Sequence, residues 1–151
     1  MAVTIKRVTL WRTEVENRPG SLATTLEPLA NAGGSLQVVM AYRYPGNESR
    51  AAVELCPVSG KRVTAAAQAA GLGRSAIPTL LVQGDDKLGL GHAIARALAE
   101  QGINIGFLVA QVIGRKFSAV YGFESDAEAA KASMLIRKAA APPKRAGAKR
   151  K

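Results

Sequence analysis

The sequence is short of the residues that most often carry chemistry. It holds one cysteine, Cys56, and one histidine, His92, in 151 residues. A single cysteine excludes a disulfide within the chain and any zinc site built from several thiolates. A single histidine argues against a His-rich metal centre and against a Ser-His-Asp hydrolase. No nucleophile–base pair, phosphate loop or dinucleotide fingerprint stands in the context it needs. We therefore expect no catalytic residue, no cofactor and no bound metal. Asp85-Asp86 resembles half of a metal site, but a hard cation wants several more oxygens, so the pair reads as loop or cap. No apolar run approaches the roughly 20 residues of a membrane span. Met1 to Glu14 alternates charged and apolar residues, unlike a signal peptide. The expectation is a protein of a reducing compartment, the cytoplasm, with no membrane association.

What is present is enough for a core. Hydrophobic residues make up 48% of the chain, and a chain this long buries about 68–70% of its unfolded surface on folding. The net charge of +10 is unevenly spread. Residues 1–74 carry +4, residues 75–141 carry +1, and the last ten residues carry +5. Body and tail therefore need separate explanations.

The chain repeats itself at an offset of 69. Glu16-Asn17-Arg18-Pro19-Gly20 lies over Asp85-Asp86-Lys87-Leu88-Gly89, and Leu29-Ala30-Asn31-Ala32-Gly33 over Leu98-Ala99-Glu100-Gln101-Gly102. Ser35-Leu36 falls on Asn104-Ile105, and Ala41 on Ala110. Such self-similarity marks a duplicated structural unit. We place the first repeat at 1–73, the second at 74–139, and a disordered basic tail at 140–151.

Each half reads as strand, helix, strand, strand, helix. In the first, Val8 to Val15 is strand-like. Leu22, Leu26 and Leu29 mark a helix over 21–32, which Gly33-Gly34 ends. Leu36–Tyr44 and Arg50–Cys56 read as strands around the turn residues Pro45-Gly46-Asn47. Lys61–Ala70 reads as helix. In the second half, Thr79–Gln83 is a strand, and Leu90, Ile94 and Leu98 mark a helix face. Ile105–Ile113 and Lys116–Phe123 form a hairpin, and Ser125 with Glu128 fits a capping box opening a helix to Lys138. Pro28 conflicts with its helix, which predicts a kink or a late start.

A β-α-β-β-α half implies an α+β, ferredoxin-like arrangement, an antiparallel sheet with its helices on one face. The fourth strands are the open question. A long strand over 74–84, crossing at Pro78, would be shared by both sheets. After Lys138 no strand remains, so the second repeat either lacks its fourth strand or recruits Val3 to Arg7. An unpaired edge is a liability and should be covered or used for dimerisation.

Asn17-Arg18-Pro19-Gly20-Ser21-Leu22 followed by Leu29–Gly33, and Gly89 through Ala99-Glu100-Gln101-Gly102-Ile103-Asn104-Ile105, resemble the ACT domain. The resemblance covers about residues 8–138, as two copies in register. It implies small β-α-β-β-α-β modules that bind amino acids and related metabolites at interfaces between paired copies. It also implies a regulatory, allosteric role, a homodimer, and a regulated protein partner. Chemistry agrees with such a loop. A helix start offers unpaired backbone N–H groups, a glycine lets a carboxylate approach, and an Asn or Asp oxygen can hold an ammonium. By resemblance the ligand-binding positions are Asn17, Gly20 and Leu22 in the first half, and Asp86, Gly89 and Gly91 in the second. The family's second Asn falls on Asn104, where the first half has Ser35. A complete pair of family-type residues arises only by combining Asn17 or Asp86 with Asn104. The plainer reading is that Gly20 and Gly89 serve turn geometry while Asn17 and Asp86 cap their helices.

Two rival signals remain. Phe117, Tyr121 and Phe123 share one face of a strand, as the stacking aromatics of RNA-recognition domains do, but such a stripe is more often core. Lys144, Arg145, Lys149, Arg150 and Lys151 supply the alternative function, a nucleic-acid-associated protein whose dimeric body carries a tail that contacts phosphates without sequence preference. His92 and Cys56 read as a surface or packing histidine and a structural thiol.

Overall fold

In chain order the elements are β1 (Thr4–Val8), β2 (Trp11–Glu16), α1 (Ser21–Asn31), β3 (Val38–Tyr44), β4 (Asn47–Cys56), α2 (Lys61–Ala69), β5 (Gly73–Arg74), β6 (Thr79–Asp85), α3 (Leu90–Ala99), β7 (Phe107–Ile113), β8 (Lys116–Gly122) and α4 (Asp126–Ala140). The structure, a computed structural model, describes residues 3–143. The five basic positions Lys144, Arg145, Lys149, Arg150 and Lys151 lie outside the described residues. No described helix is long and apolar enough to cross a membrane.

The strands form two four-stranded sheets, ordered β3-β4-β2-β5 and β1-β6-β8-β7. The chain accordingly divides into two compact units, Val8–Ile77, and Met1–Arg7 together with the chain from Pro78 onward. In the first unit β4 pairs antiparallel with both β2 and β3, with Thr13 opposite Val53 and Val53 opposite Ala41. In the second, β8 pairs antiparallel with both β6 and β7, with Val82 opposite Ala119 and Ala119 opposite Ala110. Each sheet packs one face on its two helices. Trp11, Val53 and Leu55 meet Leu29 of α1 and Val63 and Ala67 of α2. Leu80, Val82 and Tyr121 meet Ile94 and Leu98 of α3 and Ala129, Ala132 and Ile136 of α4. Period-two residues from strands and residues four apart from helices are the alternations the sequence displays. Phe117, Tyr121 and Phe123 belong to this second core, so they are packing residues and offer no stacking surface.

The long shared strand does not form. Gly73–Arg74 pairs with β2, whereas Thr79–Asp85 lies in the other sheet. Between them Ser75 donates its amide to the Leu10 carbonyl at 2.8 Å, and the Ile77 amide donates to the Ser75 hydroxyl at 3.2 Å. Pro78 has no amide to continue a ladder and restricts the residue before it. The boundary thus falls between Ile77 and Pro78. The N-terminal strand β1 fills the place beside β6, the recruitment that the absence of a strand after α4 had suggested. Val3 is buried in the second core and Ile5 packs against it. Gly84 is closely packed there: a Cβ would come within 3.1 Å of Val3 and 3.2 Å of Phe117, whose side chains would have to shift by a few tenths of an ångström.

Helix ends repeat as well. Gly34 donates to the Leu29 carbonyl at 2.9 Å and Gly33 to Ala30 at 3.0 Å. Ile103 donates to Leu98 and Gly102 to Ala99, both at 3.0 Å. These are the two bonds of a Schellman closure, built around left-handed Gly33 and Gly102. Helix α1 starts at Ser21 and runs through Pro28, so the expected late start is not seen. Pro28 lies three residues before the end of the helix, and its missing N–H forfeits the bond to the Thr24 carbonyl. At α4, Ser125 accepts from the Glu128 amide at 3.1 Å, as expected of a capping residue. The helix continues past Lys138 to Ala140, which is buried.

Candidate functional site

Each repeat carries the same loop in the same place. After β2 the chain crosses Arg18-Pro19 to Gly20, and after β6 it crosses Lys87-Leu88 to Gly89. Both glycines precede their helices in the left-handed region, at φ 92° and 78°. That conformation favours glycine, so their turn role holds. Neither helix has a side-chain cap, so Asn17 and Asp86 are not capping residues. Their backbones are pinned instead to the neighbouring hairpin. The Asn17 amide donates to Ser49 at 2.9 Å and the Asp86 amide to Arg115 at 2.8 Å.

Beside each loop, the helix start, the hairpin edge strand and the central strand enclose a cavity. In the first repeat it measures about 180 Å³ and is bordered by Asn17, Arg18, Ser21, Leu22, Tyr42 and Arg43. In the second it measures about 250 Å³ and is bordered by Asp86, Leu90, Gly91, Ala110, Gln111 and Val112, over a floor of Ile94, Phe117, Ala119 and Tyr121. Asn17, Ser21, Leu22, Tyr42 and Arg43 occupy the positions of Asp86, Leu90, Gly91, Gln111 and Val112 at the 69-residue offset. The two cavities are thus equivalent by construction.

Their chemistry differs. Around the first, polar groups already hold one another. Asn17 Nδ2 donates to the Glu48 carbonyl at 2.7 Å, and Ser21 Oγ to the Glu16 carbonyl at 2.7 Å. Arg18 pairs with Glu16 at 3.2 Å and Arg43 with Glu48 at 3.6 Å. On the opposite face of the sheet, which carries Arg12, Glu54 and Tyr42, the Tyr42 hydroxyl donates to the buried carboxylate of Glu54 at 2.9 Å. Burial, then the Glu54 carboxylate, push the Tyr42 phenol up. Around the second, the Asp86 carboxylate is exposed and has no hydrogen-bond or ion-pair partner among the described residues, and Gln111 is exposed. Burial alone pushes up the Tyr121 phenol on the cavity floor. The adjacent Asp85 pairs with Lys116, which holds its carboxyl below the usual range.

The remaining expected positions fall apart. Gly20 does not border the first cavity but a neighbouring groove with Thr24 and Pro28, which shares Arg18 and Ser21 with it. Gly89 is exposed and lines neither cavity. Asn104 is exposed and precedes β7. Because β6 and β7 both run antiparallel to β8, they point the same way. The loop after β6 and the residues before β7 therefore sit at opposite ends of the sheet, on the order of 20 Å apart at about 3.3 Å per residue. The fold of the second repeat does not bring Asp86 and Asn104 together. Gln111 and the floor residues Ile94, Phe117, Ala119 and Tyr121 are the positions that sequence reasoning missed. The 69-residue offset from Tyr42 to Gln111 was the available signal. His92 is exposed, and Cys56 is buried with its thiol pushed up by desolvation. Among the described residues no group of three or more His, Cys, Asp or Glu could hold a metal ion.

Strands β3 and β7 each end their sheet. Val39 and Tyr42 are exposed on β3, and Leu108, Val109, Val112 and Ile113 on β7.

Two β-α-β-β-α units in tandem, each completed by a fourth strand, define the class: this is the tandem ACT-domain fold. No protein-family model matches the chain, and no curated protein is similar to it. Solved structures share the fold. Protein BT0572 from Bacteroides thetaiotaomicron matches 86% of this chain and 88% of its own at TM-score 0.70 and 12% identity. The regulatory subunit of aspartate kinase from Thermus thermophilus, in its ligand-free form, matches 92% of this chain and 97% of its own at TM-score 0.61 and 16% identity. A putative C-terminal regulatory domain of aspartate kinase from Porphyromonas gingivalis W83 matches 93% and 97% at TM-score 0.56 and 11% identity.

Proposed function

We propose that this protein is a non-catalytic regulatory module that binds a small metabolite of the amino-acid class and converts occupancy into association between copies. The observation that carries the reading is the duplicated cavity, formed in each repeat by loop, helix start and edge strand. A helix start directs amides toward an anion, and an Asp or Asn beside it complements an ammonium. The aspartate kinase parts that share the fold are described as regulatory, which supports a controlling role. Asn17, Leu22, Asp86 and Gly91, which border the cavities, are the proposed ligand-facing residues. Gly20 and Gly89 shape the loops, and Asn104 serves only if a second copy brings it to a loop.

The edge strand β7 supports the association half of the reading. Natural edges are blunted by charge or proline. Phe107–Ile113 carries neither, and four of its apolar side chains are exposed. A second copy adding antiparallel to β7 would cover them and place its own residues beside the cavity bordered by Ala110 and Val112. Ligand at that junction then favours the assembly by linkage. A cytoplasmic setting fits the single buried thiol.

Thermal unfolding against each of the twenty amino acids tests this. A ligand at 100 times its Kd adds about 2.7 kcal/mol, or about 5–11 °C for a chain of this size. Stabilisation by one or a few amino acids is expected. No shift with any at millimolar concentration overturns the ligand class.

A further inference from the structure

Gly91 has no backbone reason to be glycine. It lies in the first turn of α3 without the left-handed φ of Gly89, and a Cβ built on it meets nothing within 4 Å. Glycine weakens a helix relative to leucine. The equivalent residue of the first repeat is Leu22, which borders its own smaller cavity. What the glycine does is leave the mouth of the second cavity open and its helix-start amides uncovered. Leu90 and Ala93 donate to Lys87 and Gly89 at 3.1 and 3.0 Å, so the Gly91 and His92 amides are the ones left at that helix start. Beneath the mouth the floor is buried and mostly apolar, with Ile94, Phe117, Ala119 and Tyr121 each no more than 9% exposed and the Tyr121 hydroxyl its one polar side-chain group. At the rim stands the Asp86 carboxylate. A cavity of about 250 Å³ falls just below the roughly 300–1,000 Å³ of drug-sized sites, which suits an amino acid.

We propose that the second repeat alone carries the ligand site, and that it takes an α-amino acid with an apolar side chain. The inference rests on the amino-acid reading above and narrows it. The side chain enters the apolar floor, the ammonium meets Asp86, and the carboxylate meets the Gly91 and His92 amides. A charged ligand side chain would lose its hydration on that floor without a partner. The first cavity is smaller, has Leu22 at the position of Gly91, and has its Asn17, Arg18, Ser21 and Arg43 side chains already engaged.

The test is calorimetric titration of the full chain with leucine, isoleucine, valine, methionine and phenylalanine, against aspartate, lysine, serine and threonine, each at millimolar concentration. At least one apolar amino acid is expected to bind and the polar set not to. Gly91→Leu should weaken that binding tenfold or more while its unfolding temperature without ligand stays equal or rises, so lost binding is not lost folding. Asp86→Asn should weaken it similarly, and Asn17→Ala should leave it unchanged. Binding confined to the polar set, binding retained in Gly91→Leu, or binding abolished by Asn17→Ala overturns this inference and leaves the amino-acid reading standing. Failure of all nine amino acids to bind overturns this inference, and extending the titration to the remaining eleven then decides the broader reading.

Discussion

At positions 22 and 91 the same turn of the same helix carries leucine in one repeat and glycine in the other. At 17 and 86 the same loop carries an asparagine bonded to the Glu48 carbonyl and an exposed aspartate. The backbone bonds beneath these positions are conserved between the halves almost one for one. The two repeats thus share a scaffold and differ in the side chains around their cavities, of about 180 and 250 Å³. The cores diverged too. Among the described residues the second core holds fourteen buried residues and the first seven. The second also depends on β1, from the opposite end of the chain.

That contrast can be broken at several points, of decreasing size. Ile136 is fully buried in the second core, and Ile136→Ala should cost about 2–5 kcal/mol in chemical denaturation. Val63 of the first core is 9% exposed, and Val63→Ala should cost less, about 1–2 kcal/mol. Equal losses would deny that the second repeat is the better packed. Removing residues 1–8 should destabilise the second repeat by at least about 2 kcal/mol through Val3 alone. Amide exchange should then accelerate in β6 and β8 more than in β2 and β4. Replacing Val109 by Lys on the β7 edge should weaken self-association about tenfold, or 1.4 kcal/mol. Val39→Lys on β3, whose edge already holds Arg43, should matter less in sedimentation equilibrium. Ser125→Ala removes the only side-chain N-cap found among the described residues and should lower stability by about 1 kcal/mol.

The smallest effect is on pH dependence. Lys116 holds the Asp85 carboxyl below its ordinary value, and Tyr44, then Arg50, do the same for Glu14. A carboxyl whose folded pKa is depressed adds stability that is present above its unfolded pKa and is lost as pH falls through the folded value. Both pairs are solvent-exposed, so salt should screen most of the effect. An acid titration of stability should therefore lose a small slope in Lys116→Met and in Arg50→Met alike.

Much of the fold was legible because it is local. Glycines 20, 33, 89 and 102 punctuate helices whose apolar spacing is plain, and the 69-residue offset states the duplication before any element is assigned. The strand shared across Pro78 was a reasonable reading of a β-rich run. It fails because Pro78 interrupts the ladder, and the Ser75 hydroxyl turns the chain at Ile77. The loop half of the site was legible from Asn17 and Asp86. The floor was not, because Phe117, Ala119 and Tyr121 lie some thirty residues from Asp86 and display only the alternation of a core strand. Asn104 was misplaced for a related reason. That β6 and β7 run the same way is a property of the sheet, and no local pattern near Asn104 announces it.

We propose that the second of the two equivalent cavities takes the ligand and that the smaller first one does not. The number of ligand molecules bound per chain tests it most directly. Titration of the full chain with the tightest-binding apolar amino acid should saturate at one per chain, with its midpoint raised tenfold or more in Gly91→Leu. Saturation at two per chain, with one retained in Gly91→Leu, would show both cavities at work and contradict the account.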